Sequence, residues 1–273
     1  MSIRFDDKVV IVTGAGGGLG KEHAIEFAKR GAKVVVNDLG SSVDGSGASD
    51  SANEVVENIK STGGEAIANG ASVTDLNAVK GMVNEAMEKW GRVDVLVNNA
   101  GIMPLSLLAK GRTDEWDHMI DVNIKGVLYG IDSVYSHMIE RESGQIINIS
   151  SVAGKRVMPG SAVYSGKKDA VRAISEGLRL ESSGKIQVTC IYPGAFKTEL
   201  AFSIKDESML EALMSRGIGS IAQPAERVAE SIIYALQQDP GVSVNEIVTV
   251  SYTHLRAHET VLDLVCRLLR EKK

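Results

Sequence analysis

The 273-residue chain has little cysteine, little proline and no concentration of positive charge. Its two cysteines, Cys190 and Cys266, are too few and too far apart for a disulfide framework or a zinc site. That pattern points to a reducing compartment. Five prolines against 28 glycines suit a packed α/β chain rich in tight strand-to-helix turns. The net charge of −5 is spread with mixed signs and forms no basic stripe, so nucleic-acid binding is not expected. No run approaches the ~20 apolar residues of a membrane span. Residues 1–8 lack an apolar signal core. A soluble, cytoplasmic protein with no membrane partner is the expectation.

What is present is alternation. Short apolar runs at 9–12, 33–37, 93–98, 145–149, 187–192 and 246–250 read as buried strands, with 65–68 a weaker one. Amphipathic stretches at 18–30, 51–61, 75–89, 114–140, 162–182 and 224–238 read as the helices between them. Strands taking turns with helices predict a doubly wound parallel sheet with helices on both faces. The Ser/Gly-rich segment 40–50 reads as a flexible loop. The long connection 195–223 carries Phe196, Phe202, Met209, Leu210, Leu213 and Met214. It reads either as a substrate lid or as a pair of short packing helices.

The first strand runs into Thr13-Gly14-Ala15-Gly16-Gly17-Gly18-Leu19-Gly20, and a helix follows. Glycines here permit a tight turn and close backbone approach to a pyrophosphate, while the helix N-terminus offers free N–H groups. The spacing is Gly-x-x-x-Gly-x-Gly, so the turn is informative mainly because of the strand before it and the helix after it. Eighteen residues past Gly20, the second strand ends in Asp38. A carboxylate there is placed to accept from an adenosine ribose and to repel a 2′-phosphate. NAD is therefore favoured, with NADP the alternative.

Tyr164 and Lys168 are four residues apart and share a helix face. Tyrosine alone titrates near pH ~10 and is a poor base at neutrality. A cation held beside it favours the phenolate and makes it a usable acid/base. Ser151, 13 residues upstream, is a candidate to hydrogen-bond the oxygen that gains or loses the proton. Alone, such a pair is equally a packed tyrosine and a solvated lysine.

Taken in order, these motifs resemble the short-chain dehydrogenase/reductase superfamily over residues 6 to about 250. Thr13-Gly14-x-x-x-Gly18-Leu19-Gly20 resembles its coenzyme loop, and Asn98-Asn99-Ala100-Gly101 the turn after its fourth strand. Asn123 matches the asparagine that orders a relay water, and Ser151, Tyr164 and Lys168 complete the family's tetrad. Pro193-Gly194-x-x-x-Thr198 matches the segment behind the nicotinamide. The family often places an aspartate after the third strand to contact adenine; here Ser72 and Val73 stand there.

The resemblance implies a single-domain Rossmann-type sheet of about seven strands spanning 1–250. It implies an NAD(P)-dependent oxidoreductase that interconverts a secondary alcohol and a ketone. Asn123, Ser151, Tyr164 and Lys168 would be catalytic. The coenzyme would be held by Gly14, Gly18, Leu19, Gly20, Asp38, Ser72, Val73, Asn99, Ala100, Gly101, Pro193, Gly194 and Thr198, together with Tyr164 and Lys168. No metal is implied: His23, His118, His137, His254 and His258 form no ligand cluster in the sequence. A homodimer or homotetramer is the expected assembly.

Within the family, residues 8–101 resemble the 3-hydroxyacyl-CoA dehydrogenase branch. Residues 102–247 resemble small-substrate 3-hydroxy acid dehydrogenases and similar reductases, many of them NADP-linked. A small hydroxy acid or similar alcohol is therefore the expected substrate, with an acyl-CoA as the alternative. A non-catalytic nucleotide-binding protein is the competing class, opposed by retention of all four tetrad residues. A nucleotide-sugar epimerase is opposed by chain length and by the Asn98–Gly101 turn. Residues 251–273 match no C-terminus of the family and read as possible read-through sequence.

Overall fold

The computed structural model describes residues 4–40, 50–215, 217–239 and 241–251. Most of the loop expected at 40–50, and the tail from 252 onward, lie outside the described residues.

The chain runs β1 (Val9–Thr13), α1 (Gly18–Lys29), β2 (Lys33–Asn37), α2 (Ser51–Ser61), β3 (Glu65–Asn69), α3 (Leu76–Trp90) and β4 (Val95–Asn98). It continues through α4 (Thr113–Ile120), α5 (Gly126–Glu140), β5 (Gln145–Ile149), α6 (Ala162–Glu181) and β6 (Gln187–Pro193). Last come α7 (Glu207–Ser215), α8 (Ile218–Ile221), α9 (Glu226–Leu236) and β7 (Glu246–Thr249). All strand pairs are parallel, in the order β3-β2-β1-β4-β5-β6-β7. The chain winds outward from β1 to β3, then returns to place β4 on the other side of β1. That reversal opens a crevice beyond the carboxyl ends of β1 and β4.

Alternation along each strand divides the core between two faces. Val10 and Val12 of β1 pack with Ala24 and Phe27 of α1, Val55 and Ile59 of α2, and Ile232 of α9. Val9 and Ile11 pack on the opposite face with Val79 and Met82 of α3, Val134 and Met138 of α5, and Leu178 of α6. Burial on both faces is why these strands read as unbroken Val/Ile runs. Each fully buried Ile or Phe contributes roughly 1.5–3 kcal/mol of hydrophobic stabilisation. The weaker run at 65–68 is the edge strand β3, whose burial is only partial.

The stretch 114–140 is helical throughout with one local change of winding: a π turn, Asp121–Lys125, joins α4 to α5. The connection 195–223 folds into a 3-10 turn at Glu199–Ser203 followed by α7 and α8. Among the described residues no helix is long and apolar enough to cross a membrane.

Candidate active site

A groove of about 640 Å³ opens at the carboxyl ends of the central strands. It is lined by Gly14, Gly18, Leu19, Asp38, Ser72, Val73, Asn99, Ala100 and Gly101 along one end. Asn123, Ser151, Tyr164, Lys168, Pro193, Gly194 and Thr198 line the other. Of the residues expected from sequence, Gly20 alone does not line it. Gly20 is buried inside α1, where an added Cβ would strike the Gly14 carbonyl and the Asn99 side-chain amide. Its part is close packing under the loop, not contact with a ligand.

The glycine loop is held from two sides. Gly14 has φ +61°, and a Cβ there would come within 2.8 Å of Ala100 Cα, so both conformation and space exclude a side chain. Asn99 Nδ2 donates to the carbonyls of Thr13 (2.9 Å) and Gly14 (3.0 Å). Thr13 Oγ1 accepts from the Asn99 and Ala100 backbone N–H groups at 3.0 and 3.1 Å. These bonds lock the end of β1 to the end of β4. The Asp38 carboxylate accepts from Gly16 N at 2.9 Å and from Gly40 N at 2.9 Å. Ser72 lines the groove with its hydroxyl paired to Thr74 Oγ1 at 2.9 Å.

The tetrad residues arrive from three elements. The end of β5 supplies Ser151, whose Oγ accepts from Ala153 N at 3.1 Å. It also acts on Tyr164, favouring the phenolate. Adjacent Ser150 points the other way and donates to the Lys168 carbonyl at 2.7 Å, fixing α6 against β5. A buried chain adds to that hold: Asn98 Nδ2 donates to Asn148 Oδ1, and Asn148 Nδ2 to Ser175 Oγ on α6, both at 2.9 Å. The π turn carries Asn123, whose Oδ1 accepts from Ile102 N at 3.2 Å. Its Nδ2 is buried and has no protein partner among the described residues. A π turn re-aims a side chain by one residue without ending the helix, and this one brings Asn123 to the groove.

Electrostatics here run opposite in sign to the sequence expectation. Burial pushes the Tyr164 phenol up to about 12, with Ser151 opposing it. Burial also lowers Lys168 to about 8. Lys168 Nζ donates to the Ile149 carbonyl at 2.7 Å and lies 6.0 Å from the tyrosine ring centre. In this arrangement dehydration outweighs attraction between the two groups. Next to it, Lys167 is also buried: its Nζ donates to the Ile102 carbonyl at 2.5 Å and lies 4.6 Å from the Tyr164 ring centre. Burial and the neighbouring Lys168 charge both lower Lys167 well below the usual lysine value.

Sequence reasoning missed several lining residues. Gly16 and Gly17 sat inside the glycine run, where the crowding of Gly16 by Asp38 and Ser51 had no sequence signal. Ile102, His118, Val122, Phe196, Glu199 and Leu200 also line the groove. Of these, only Phe196 was flagged, as an apolar residue of the long connection.

The groove fits a dinucleotide. It sits at the sheet's switch point, Gly14 and Gly16 leave no room for side chains, and a carboxylate ends β2. These features define a nicotinamide-nucleotide-binding α/β protein. The family model described as short chain dehydrogenase matches residues 8–208, and the chain belongs to that family. An uncharacterized oxidoreductase of Staphylococcus saprophyticus is 42% identical over 246 residues, covering 89% of this chain and 95% of the relative. The crystal structure of levodione reductase superposes with TM-score 0.79 at 26% identity, covering 90% of this chain and 97% of that one. A 7α-hydroxysteroid dehydrogenase bound to NADH and 7-oxo glycochenodeoxycholic acid superposes with TM-score 0.77 at 26% identity, covering 90% and 94%. The chain is an NAD(P)-dependent dehydrogenase/reductase.

Proposed function

We propose that the protein interconverts a secondary alcohol and a ketone, with Tyr164 moving the proton and NAD the preferred coenzyme. The observation that carries this reading is that Tyr164, Ser151, Asn123 and Lys168 line one groove together. Glycines 14, 16 and 18 and the Asp38 carboxylate hold the coenzyme's pyrophosphate and adenosine end, with Ser72, Val73 and Asn99–Gly101 along the adenine side. Pro193, Gly194 and Thr198 back the nicotinamide. The bound nicotinamide supplies the hydride in one direction and receives it in the other.

The rest of the work falls to this chain. In ketone reduction Tyr164 gives its hydroxyl proton to the substrate oxygen as the carbon accepts hydride. In alcohol oxidation the phenolate takes that proton back. Ser151 holds the substrate oxygen. Lys168 stabilises the phenolate left after proton transfer, and Asn123 supports a proton path through Lys168 to solvent. Asp38 supports NAD over NADP, since a carboxylate at the end of β2 would repel a 2′-phosphate. Assembly as a homodimer or homotetramer belongs to the same reading; Leu128 on α5 is 43% exposed.

The test is direct. Purified protein with a secondary alcohol and NAD is expected to form NADH, faster than the same mixture with NADP forms NADPH. Absence of turnover with either coenzyme across a broad alcohol panel would remove the reading.

A further inference from the structure

The wall of the groove around the reacting end is hydrocarbon. Ile102, Val122 and Leu200 line it, with His118. Ile102 and the Tyr164 ring belong to one apolar cluster with Leu105, Met119 and Ile204. Met209, Leu210 and Leu213 of α7 pack against that cluster, so the long connection closes this end with carbon. At Gly160 an added Cβ would overlap the Met209 side chain, which shows how closely α7 is seated.

Cations are turned away from this chamber. Among the described residues only two lysines line the groove: Lys21, next to the glycine loop, and Lys168 of the catalytic set. Lys167 lies behind the Tyr164 ring, bound to the Ile102 carbonyl. Lys110 is taken up by Asp206 at 2.6 Å and Arg112 by Glu115 at 2.9 Å. Glu199 lines the glycine-loop end of the groove, its Oε2 3.5 Å from where a Cβ on Gly18 would stand. A carboxylate carried next to the reacting carbon would lose water and find, among the described residues, no guanidinium and no ammonium but that of Lys168, which is already bound to the Ile149 carbonyl. Unpaired burial of a charge is among the costliest events in a protein interior.

We infer that the substrate is neutral and apolar on both sides of its reacting carbon, a hydrocarbon-flanked secondary alcohol or ketone in preference to a hydroxy acid. This rests on the oxidoreductase reading of the same groove and departs from the small hydroxy acid suggested by the sequence. The wall selects by desolvation: hydrocarbon leaves water at a gain, whereas a carboxylate leaves it at a loss.

The experiment compares 2-octanol with 3-hydroxybutyrate, using the full-length protein and saturating coenzyme. The expected kcat/KM ratio favours the neutral alcohol by at least roughly a hundredfold. Val122→Arg and, independently, Leu200→Arg place a cation on the wall. Either is expected to narrow the ratio by roughly tenfold or more, the worth of one charge-assisted hydrogen bond. Equal or better use of 3-hydroxybutyrate by the unmodified protein overturns the inference.

Failure of the oxidoreductase reading is separable. If neither alcohol turns over, thermal midpoints with NADH plus 2-octanone, and with NADH plus octanoate, still decide the matter. A rise with the ketone alone upholds the apolar site. An equal or larger rise with octanoate, or none with the ketone, overturns it.

Discussion

Replacing Lys168 with methionine is predicted to make the protein more stable at neutral pH while abolishing turnover. The reasoning starts from burial: the ammonium is 6% exposed and its pKa falls to about 8 from the ordinary 10.5. A lowered lysine pKa means that the unfolded chain binds the proton more tightly than the native one. The charge therefore costs stability below pH 8, and the cost is relieved as pH rises from 8 to 10.5. A shift of this size corresponds to about 3 kcal/mol as an upper limit. Methionine removes the charge at similar volume but leaves the Ile149 carbonyl without its 2.7 Å donor, a loss of about 1 kcal/mol. The net expectation is a gain of about 2 kcal/mol at pH 7, turning into a loss of about 1 kcal/mol above pH 10.5. Urea denaturation at pH 7, 8.5 and 11 reads both numbers. A variant destabilised equally at all three values would refute the burial argument.

Other consequences follow from the same geometry. Ketone reduction needs the Tyr164 proton, held to about 12, and the Lys168 charge, lost above about 8. Its kcat/KM is therefore expected to fall about tenfold per unit above pH 8; a flat profile to pH 10 would contradict the pairing. Asp38→Ala removes the acceptor for Gly16 N and Gly40 N. It should raise the NADP-to-NAD ratio of kcat/KM at least roughly tenfold, and an unchanged ratio counts against the carboxylate's role. Gly14→Ala meets both a positive φ and Ala100 at 2.8 Å. It should cost about 2 kcal/mol of stability and weaken NADH binding in a fluorescence titration.

Periodicity made the sheet legible because parallel strands buried on both faces leave no polar interruption. The runs at 33–37 and 145–149 coincide with β2 and β5 to the residue. The π turn at Asp121–Lys125 was not legible, because one added residue of winding barely disturbs an amphipathic pattern. Side-chain chemistry was harder. Lys167 adjoins Lys168 in the sequence, and its Nζ takes a different carbonyl. Its burial against Tyr164 had no sequence signature, since a lysine reads by default as a solvated residue. The sign of the Tyr164 shift was lost for the same reason: spacing shows that the two groups share a face, and only burial shows that dehydration dominates. The groove's apolar wall was half visible, in the carbon-rich 195–223 connection.

The central claim is that Tyr164 transfers the proton in a groove that binds coenzyme without its help. It is tested most directly by Tyr164→Phe, with NADH binding and alcohol oxidation measured on the same preparation. The account predicts NADH affinity within about threefold of the unmodified protein and a rate lower by about a thousandfold or more. Turnover retained within tenfold, with binding intact, would contradict it.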